Sequence, residues 1–299
     1  MVVATGFFDG VHLGHRFLLD KLVRSAEQLG CTSTVVTFWP HPRNVLQDDA
    51  RNLRLLTSMS EKRELLSAAG IDKVEVLTFN KEFSKLTAEE YLRDYIIGRF
   101  GGKAILLGYD NRMGSDRRSP EEAAEIAEKL GLQVIRADVL SADAGVNISS
   151  TKIRGALASG KVEEANAMLG YDYSLHGVVV AGNRLGRTIG FPTANISLYE
   201  PLKLVPAGGV YLVRVDTVGR QMYGMCNIGV RPTVGNGNHT TIETHIFDFD
   251  EDIYGLDIRI SFIQRIRDER TFPCLADLSA QLASDKAFCE SLLSKAQSL

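Results

Sequence analysis

Up to about residue 172, apolar runs of strand character alternate with runs whose apolar residues recur at helical spacing; beyond it, strands succeed one another with only glycine-bearing turns between them. No other feature constrains the fold as much. Alternation of strand and helix requires parallel strands joined by crossover helices, whereas strands separated by tight turns must lie antiparallel. Two such architectures in one chain of 299 residues mean two domains, each long enough to bury a core of its own. Residues 1–172 read as an α/β domain with a parallel sheet covered by helices, and 173–299 as a small antiparallel β-barrel followed by C-terminal helices.

The punctuation of the first half agrees with this reading. A strand over 2–8 gives way to a helix with Leu18, Leu22, Ala26 and Leu29 along one stripe, ended by Gly30. Residues 32–38 form a second strand, closed by Pro40 and Pro42. Ser58 with Glu61 and Thr87 with Glu90 make capping boxes, and Ser119-Pro120 opens another helix. Further strands are expected at 73–79, 103–107 and 132–138, and helical text at 147–170. In the second half, strands at 209–215, 221–228, 241–247 and 256–263 lead to two helices, 275–283 and 285–297.

Net charge is −3 with both signs well mixed, so no global field draws the chain onto nucleic acid or a membrane surface. Basic residues cluster at Arg112, Arg117 and Arg118 and at Arg265, Arg267 and Arg270; such runs are solvated faces unless a ligand phosphate lies beside them. The four cysteines show no CxxC and no close pair, which argues against a zinc site or a disulfide framework and points to the reducing cytoplasm. The first residues lack the charged start of a signal peptide, and no segment has the length to span a bilayer. Nothing in the sequence speaks to oligomeric state.

Chemistry concentrates in four segments. GFFDGVHLGH, residues 6–15, puts His12 and His15 where a strand becomes a helix, and the free N–H groups of a helix start favour an anion. The spacing of Asp9, His12 and His15 also suits three metal ligands or plain helix capping. Ser149, Ser150, Thr151, Lys152 and Arg154 offer hydroxyls and cations at another helix start, the parts of a phosphate clamp. Residues 182–195 carry Gly182, Gly186 and Gly190 at every fourth position, where a backbone can approach a ligand closely. Arg187 adds charge there, and Thr193 and Asn195 add oxygen ligands suited to magnesium. In the strand TIETHIF, residues 241–247, alternation sets Glu243, His245 and Phe247 on one face, and a carboxylate there can take a proton from an attacking alcohol.

GFFDGVHLGH, TFWPHP, NISSTKIR, GRTIGFPTAN, NIGVRPT and ETHIF, in this order across nearly the whole chain, resemble the bacterial bifunctional riboflavin kinases/FAD synthetases. The resemblance implies a Rossmann-like nucleotidyltransferase domain that transfers AMP from ATP to FMN with release of pyrophosphate, and a barrel that phosphorylates riboflavin to FMN. ATP is the co-substrate of both and Mg2+ the metal. It implies that His12 and His15 stabilise charge on the α-phosphoryl group. Gly6, Phe7, Asp9 and Gly14 would bind the nucleotide together with Ser149, Ser150, Thr151 and Arg154. In the kinase half Gly182, Gly186, Arg187 and Gly190 would bind nucleotide, Thr193 and Asn195 the metal, and Glu243 would be the base. Arg267 and Glu269, in RIRDERTF, fall where the family closes the flavin site. Asn111 and Met113 stand where the family has aromatic flavin-binding residues, so this chain has lost flat stacking surface there. Two further readings fit the same text: a kinase with an altered or inactive first domain, and a flavin-binding regulatory protein without turnover.

Overall fold

The computed structural model of the chain describes residues 1–46, 53–108, 112–137, 148–182, 185–232 and 238–297. Contacts divide it into two units, Met1–Ser150 and Thr151–Leu299.

The first unit is built on five parallel strands, β1 (Val2–Thr5), β2 (Ser33–Trp39), β3 (Lys73–Thr78), β4 (Ala104–Leu107) and β5 (Gln133–Arg136), in the order β3-β2-β1-β4-β5. Strand order reverses at β1, and in open α/β sheets that reversal opens a crevice at the C-terminal ends of the strands. Strands β1 and β4 are buried along their whole length, as strands covered on both faces must be. Two separate cores flank the sheet, one gathering Tyr91, Leu92, Ile96 and Ile105, the other Val2, Leu19, Leu22 and Leu106. Helix α1 (Leu13–Gln28) buries Leu22 and Ala26 of the expected stripe, together with Leu19; Leu18 only packs at the edge and Leu29 is exposed. After the short α2 (Pro42–Leu46), α3 (Met59–Ala68) starts at the expected capping box, with Glu61 N donating to Ser58 Oγ at 3.2 Å and Ser58 N to Glu61 Oε2 at 2.7 Å. The Thr87–Glu90 box starts α4 (Ala88–Glu90), which continues in π-helical form over Tyr91–Arg99. Helix α5 (Pro120–Lys129) has Ser119 as its cap and proline in its first turn.

The second unit is a closed barrel of six antiparallel strands: β6 (Ser174–Val180), β7 (Ala194–Leu198), β8 (Gly209–Thr217), β9 (Arg220–Pro232), β10 (Asn238–Ile246) and β11 (Asp257–Arg267), in the order β10-β7-β6-β11-β8-β9. Helices α6 (Ser150–Ala158) and α7 (Val162–Leu169) are joined to it by hydrogen bonds: Asn166 Nδ2 donates to the Phe262 carbonyl at 2.7 Å, and Ala207 N to the Leu157 carbonyl at 3.0 Å. A short α8 (Leu185–Thr188) precedes β7. The chain ends in one helix, α9 (Leu275–Gln297), and not in the two expected over 275–283 and 285–297. Asp285 leaves the local backbone uncapped and instead accepts from Arg267 and Gln281, so nothing interrupts the helix. A core of Val210, Leu212, Met225, Phe247 and Cys289 lies between barrel and α9.

Candidate active sites

The turn after β1 is under backbone strain: Phe8 and Val11 adopt positive φ of 52° and 36°, flanking Gly10 at 80°. Two anchors hold it. The buried Asp9 carboxylate accepts from Leu56 N, Thr57 N and the Thr57 hydroxyl, each at 3.1 Å. Ser150 Oγ donates to the Asp9 carbonyl at 3.0 Å. Asp9 thus fixes the loop, and among the described residues no three metal-ligating side chains form a metal-sized cluster. His12 caps α1, its Nδ1 accepting from His15 N at 3.3 Å, and the two rings stack with centroids 3.7 Å apart. A Cβ on Gly14 would come within 3.2 Å of His12 Nδ1, so the glycine leaves room for that ring. Burial, with help from His12 and Lys62, holds the His15 imidazole well below the usual histidine range, and it is neutral at pH 7.

Gly6 borders a cavity of about 770 Å³ at the C-terminal ends of the strands. Its wall is aromatic: Phe38, Phe79, Phe83 and Tyr91 meet edge-on or tilted at 5.6–6.3 Å between centroids. Arg43, Arg112 and Arg117 stand on its rim. Met113 lines it too and is buried in the neighbouring core; Asn111 lies outside the described residues. The four aromatics come from separate segments of the chain, and sequence reading had not assembled them into one wall. Each alone reads as a core residue. Ser149 is half-buried; Thr151, exposed, and Arg154, half-buried, follow on α6 in the second unit.

In the barrel, β10 separates two cavities. Thr241, Glu243 and His245 face one of about 310 Å³, while Thr244 and Ile246 face another of about 300 Å³, as the two-residue pleat dictates. Thr193 lines both. The register pairs Glu243 with Asn195 on one side and with Asn227 on the other. The first cavity mixes apolar walls, Phe191, Met225, Phe272 and Leu282 among them, with Asn227, Arg267, Glu269 and Arg270. The second has Arg187, Asp250, Glu251 and Asp252 beside Tyr254. A Cβ on Gly182 would fall 2.1 Å from Asn195 Nδ2, so a larger residue there must displace the Asn195 amide, and Gly186 is required by contact, since a Cβ there would fall 2.1 Å from the Phe191 carbonyl. Gly190 takes a positive φ of 83°. Arg267 is clamped to α9: Nε and Nη2 reach Asp285 Oδ2 at 2.9 and 2.8 Å, and Nη1 donates to the Asp268 carbonyl. Two register irregularities interrupt the pairing of β11 with β8, at Phe262/Gln264 and Arg265/Arg267. His245 accompanies Glu243, its Nδ1 2.8 Å from the Pro192 carbonyl, and burial lowers its basicity.

All four cysteines are free thiols; burial pushes Cys226 and Cys289 up to about 12. Among the described residues no helix is long and apolar enough to cross a membrane.

Comparison with known proteins adds family to geometry. Residues 1–152 match the FAD synthetase family model and 169–293 the riboflavin kinase model. The chain is 36% identical over 289 residues to the bifunctional riboflavin kinase/FMN adenylyltransferase of Bacillus subtilis (strain 168), covering 95% of this chain and 90% of that one. The figures for the Escherichia coli (strain K12) protein of the same name are the same. A solved structure from Streptococcus pneumoniae, titled a macrolide-efflux protein, superposes with a TM-score of 0.89 at 34% identity, over 97% of this chain and 93% of that one. Two family models side by side and relatives matched nearly end to end place the chain in the bifunctional riboflavin kinase/FMN adenylyltransferase family, enzymes with both transferase activities.

Proposed function

We propose that residues 173–299 phosphorylate riboflavin and residues 1–172 adenylylate the FMN so formed, with the residue roles that follow. The observation that carries the kinase reading is Thr193, which lines both barrel cavities and so marks where two substrates meet. The cavity with Phe191, Met225 and Phe272 suits an isoalloxazine ring. The other, with Arg187 for phosphate and carboxylates to accept from ribose hydroxyls and the adenine amine, suits ATP. Glu243, facing the flavin cavity, accepts the proton as the ribityl hydroxyl oxygen bonds to the γ-phosphorus and the bond to ADP breaks. A hydroxyl from Thr193 and the amide oxygen of Asn195, given room by Gly182, fit Mg2+ that arrives on the nucleotide phosphates and keeps most of its other ligands from phosphate and water. Such an ion neutralises charge on the transferring phosphoryl group. Arg267 and Glu269 close the flavin side.

In the first domain, the aromatic-walled cavity takes the FMN ring, with Arg43, Arg112 and Arg117 on its rim. An FMN phosphate oxygen bonds to the α-phosphorus of ATP while the α–β bridge breaks and pyrophosphate leaves. His15, being neutral, offers an N–H hydrogen bond in place of a full charge, and the start of α1 adds its free N–H groups. Gly6, Phe7 and Gly14 shape the nucleotide seat, Asp9 holds it in place, and Ser149, Ser150, Thr151 and Arg154 bind phosphate. The free thiols support a cytoplasmic enzyme.

Incubation with riboflavin, ATP and magnesium, followed by chromatography, should give FMN that then converts to FAD. His12→Ala should stop at FMN, with kinase turnover retained; loss of both activities in that variant, with the fold intact, would overturn the division of labour.

A further inference from the structure

Beneath the histidine turn lies a charged group that none of the motifs contains. Lys62, in the first full turn of α3, is fully buried, and its Nζ has no hydrogen-bond partner. The ammonium sits 3.5 Å from the centroid of the Phe7 ring, a cation–π distance. It is coupled electrostatically to Asp9 and to His15. All three partners belong to the turn of residues 7–15, and the helix carrying Lys62 begins next to Leu56 and Thr57, the residues that hold Asp9.

An unsolvated ammonium is costly, and surface lysines normally avoid it by reaching for water. Here burial draws the amine down to about 8, opposed by Asp9. The side chain is fully buried, so no contact with solvent relieves it. Its influence must pass through the residues it touches. Phe7 also meets His41, whose ring lies 4.0 Å away edge-on. Asp9 is fixed by the 56–57 amides.

We propose that Lys62 is a positioning residue for adenylyl transfer: from the buried side of the turn its ammonium seats Phe7 and Asp9 and thereby sets His12 and His15 against the reacting phosphate. The inference rests on the reading that this turn carries the adenylyl transfer. The charged groups facing His15 are His12 from the helix start, Lys62 from α3 and, beyond it, Asp9 in the turn; removal of Lys62 takes away a cation that suppresses His15 protonation.

The test uses the full chain as Lys62→Met, which keeps length and apolar bulk, with Lys62→Arg retaining charge. Lys62→Met should lower kcat for FMN adenylylation about 10²-fold, the scale of a small misplacement of reacting groups. KM for ATP should change far less, and riboflavin kinase turnover should stay at the wild-type value. The His15 titration, followed by NMR of ring-labelled histidine and assigned with His15→Gln, should move to higher pH together with the acid limb of the kcat profile. Lys62→Arg should restore the low His15 titration. An unchanged kcat, or a lower kcat with the His15 titration and pH profile unmoved, would overturn the proposal. His12→Ala assayed in parallel separates the two ideas: if it abolishes FAD formation while Lys62→Met does nothing, the site stands and the role of Lys62 falls.

Discussion

Replacement of Asp285 by alanine isolates the clamp between β11 and α9. In the intact protein the Asp285 side chain is 4% exposed and that of Arg267 11%, and one carboxylate oxygen takes two guanidinium contacts at 2.9 and 2.8 Å while the other accepts from Gln281 at 2.8 Å. Alanine leaves the guanidinium buried with only the Asp268 carbonyl. Breaking such a pair from one side costs about 3–5 kcal/mol. For a unit of this size that corresponds to a fall in melting temperature of about 6–20 °C. Calorimetry measures it, and fluorescence of Trp39, the single tryptophan and a residue of the first unit, identifies the transition that belongs to the other half. The same variant should raise KM for riboflavin, because Arg267 lines the cavity proposed above for the flavin. The double change Arg267→Met with Asp285→Leu should recover most of the stability, since apolar replacement of a buried pair is about neutral to favourable. It should not recover flavin affinity. A shift of less than about 1 kcal/mol for Asp285→Ala would refute the reasoning, because a pair this buried cannot be lost so cheaply.

Glu243→Gln should reduce riboflavin kinase kcat by about 10²–10⁴-fold with FMN adenylylation intact, as expected for removal of a general base; separate assays with riboflavin and with FMN check it. Gly182→Ala drives a Cβ into the Asn195 amide, so KM for MgATP in the kinase reaction should rise while the circular dichroism spectrum stays unchanged. His15 is depressed in the fold relative to an unfolded value near 6.5, so on acidification the unfolded chain takes up the proton first. The stability this group contributes is therefore complete above pH 6.5 and is lost as pH falls below it; urea unfolding monitored at Trp39 should show a decline below pH 6.5 that His15→Gln removes.

The architecture was legible because its signals are local. Two capping boxes, the serine cap and proline that open the helix at Ser119, and the two-residue alternation along β10 each depend on neighbours in sequence, and each is found where expected. What escaped depends on partners far away. Ser284-Asp285 has the look of a helix start, yet Asp285 is claimed by Arg267 from another element. Phe38, Phe79, Phe83 and Tyr91 become one aromatic wall only once β2, the segment after β3 and the π-helical segment are side by side. Lys62 was hidden by its type, because a lysine after a capping glutamate reads as solvated. One signal was present: it stands four residues before Leu66, on the stripe that α3 buries.

Thr193 borders both barrel cavities. A side chain that forms part of two walls answers to two substrates at once, so a substitution that tunes the fit of one reshapes the other. On the proposed assignment of one cavity to nucleotide and the other to flavin, the two preferences are therefore not separable through Thr193; each is altered from the walls the cavities do not share, at Tyr254 and Asp252 for one and at Phe272 and Leu282 for the other.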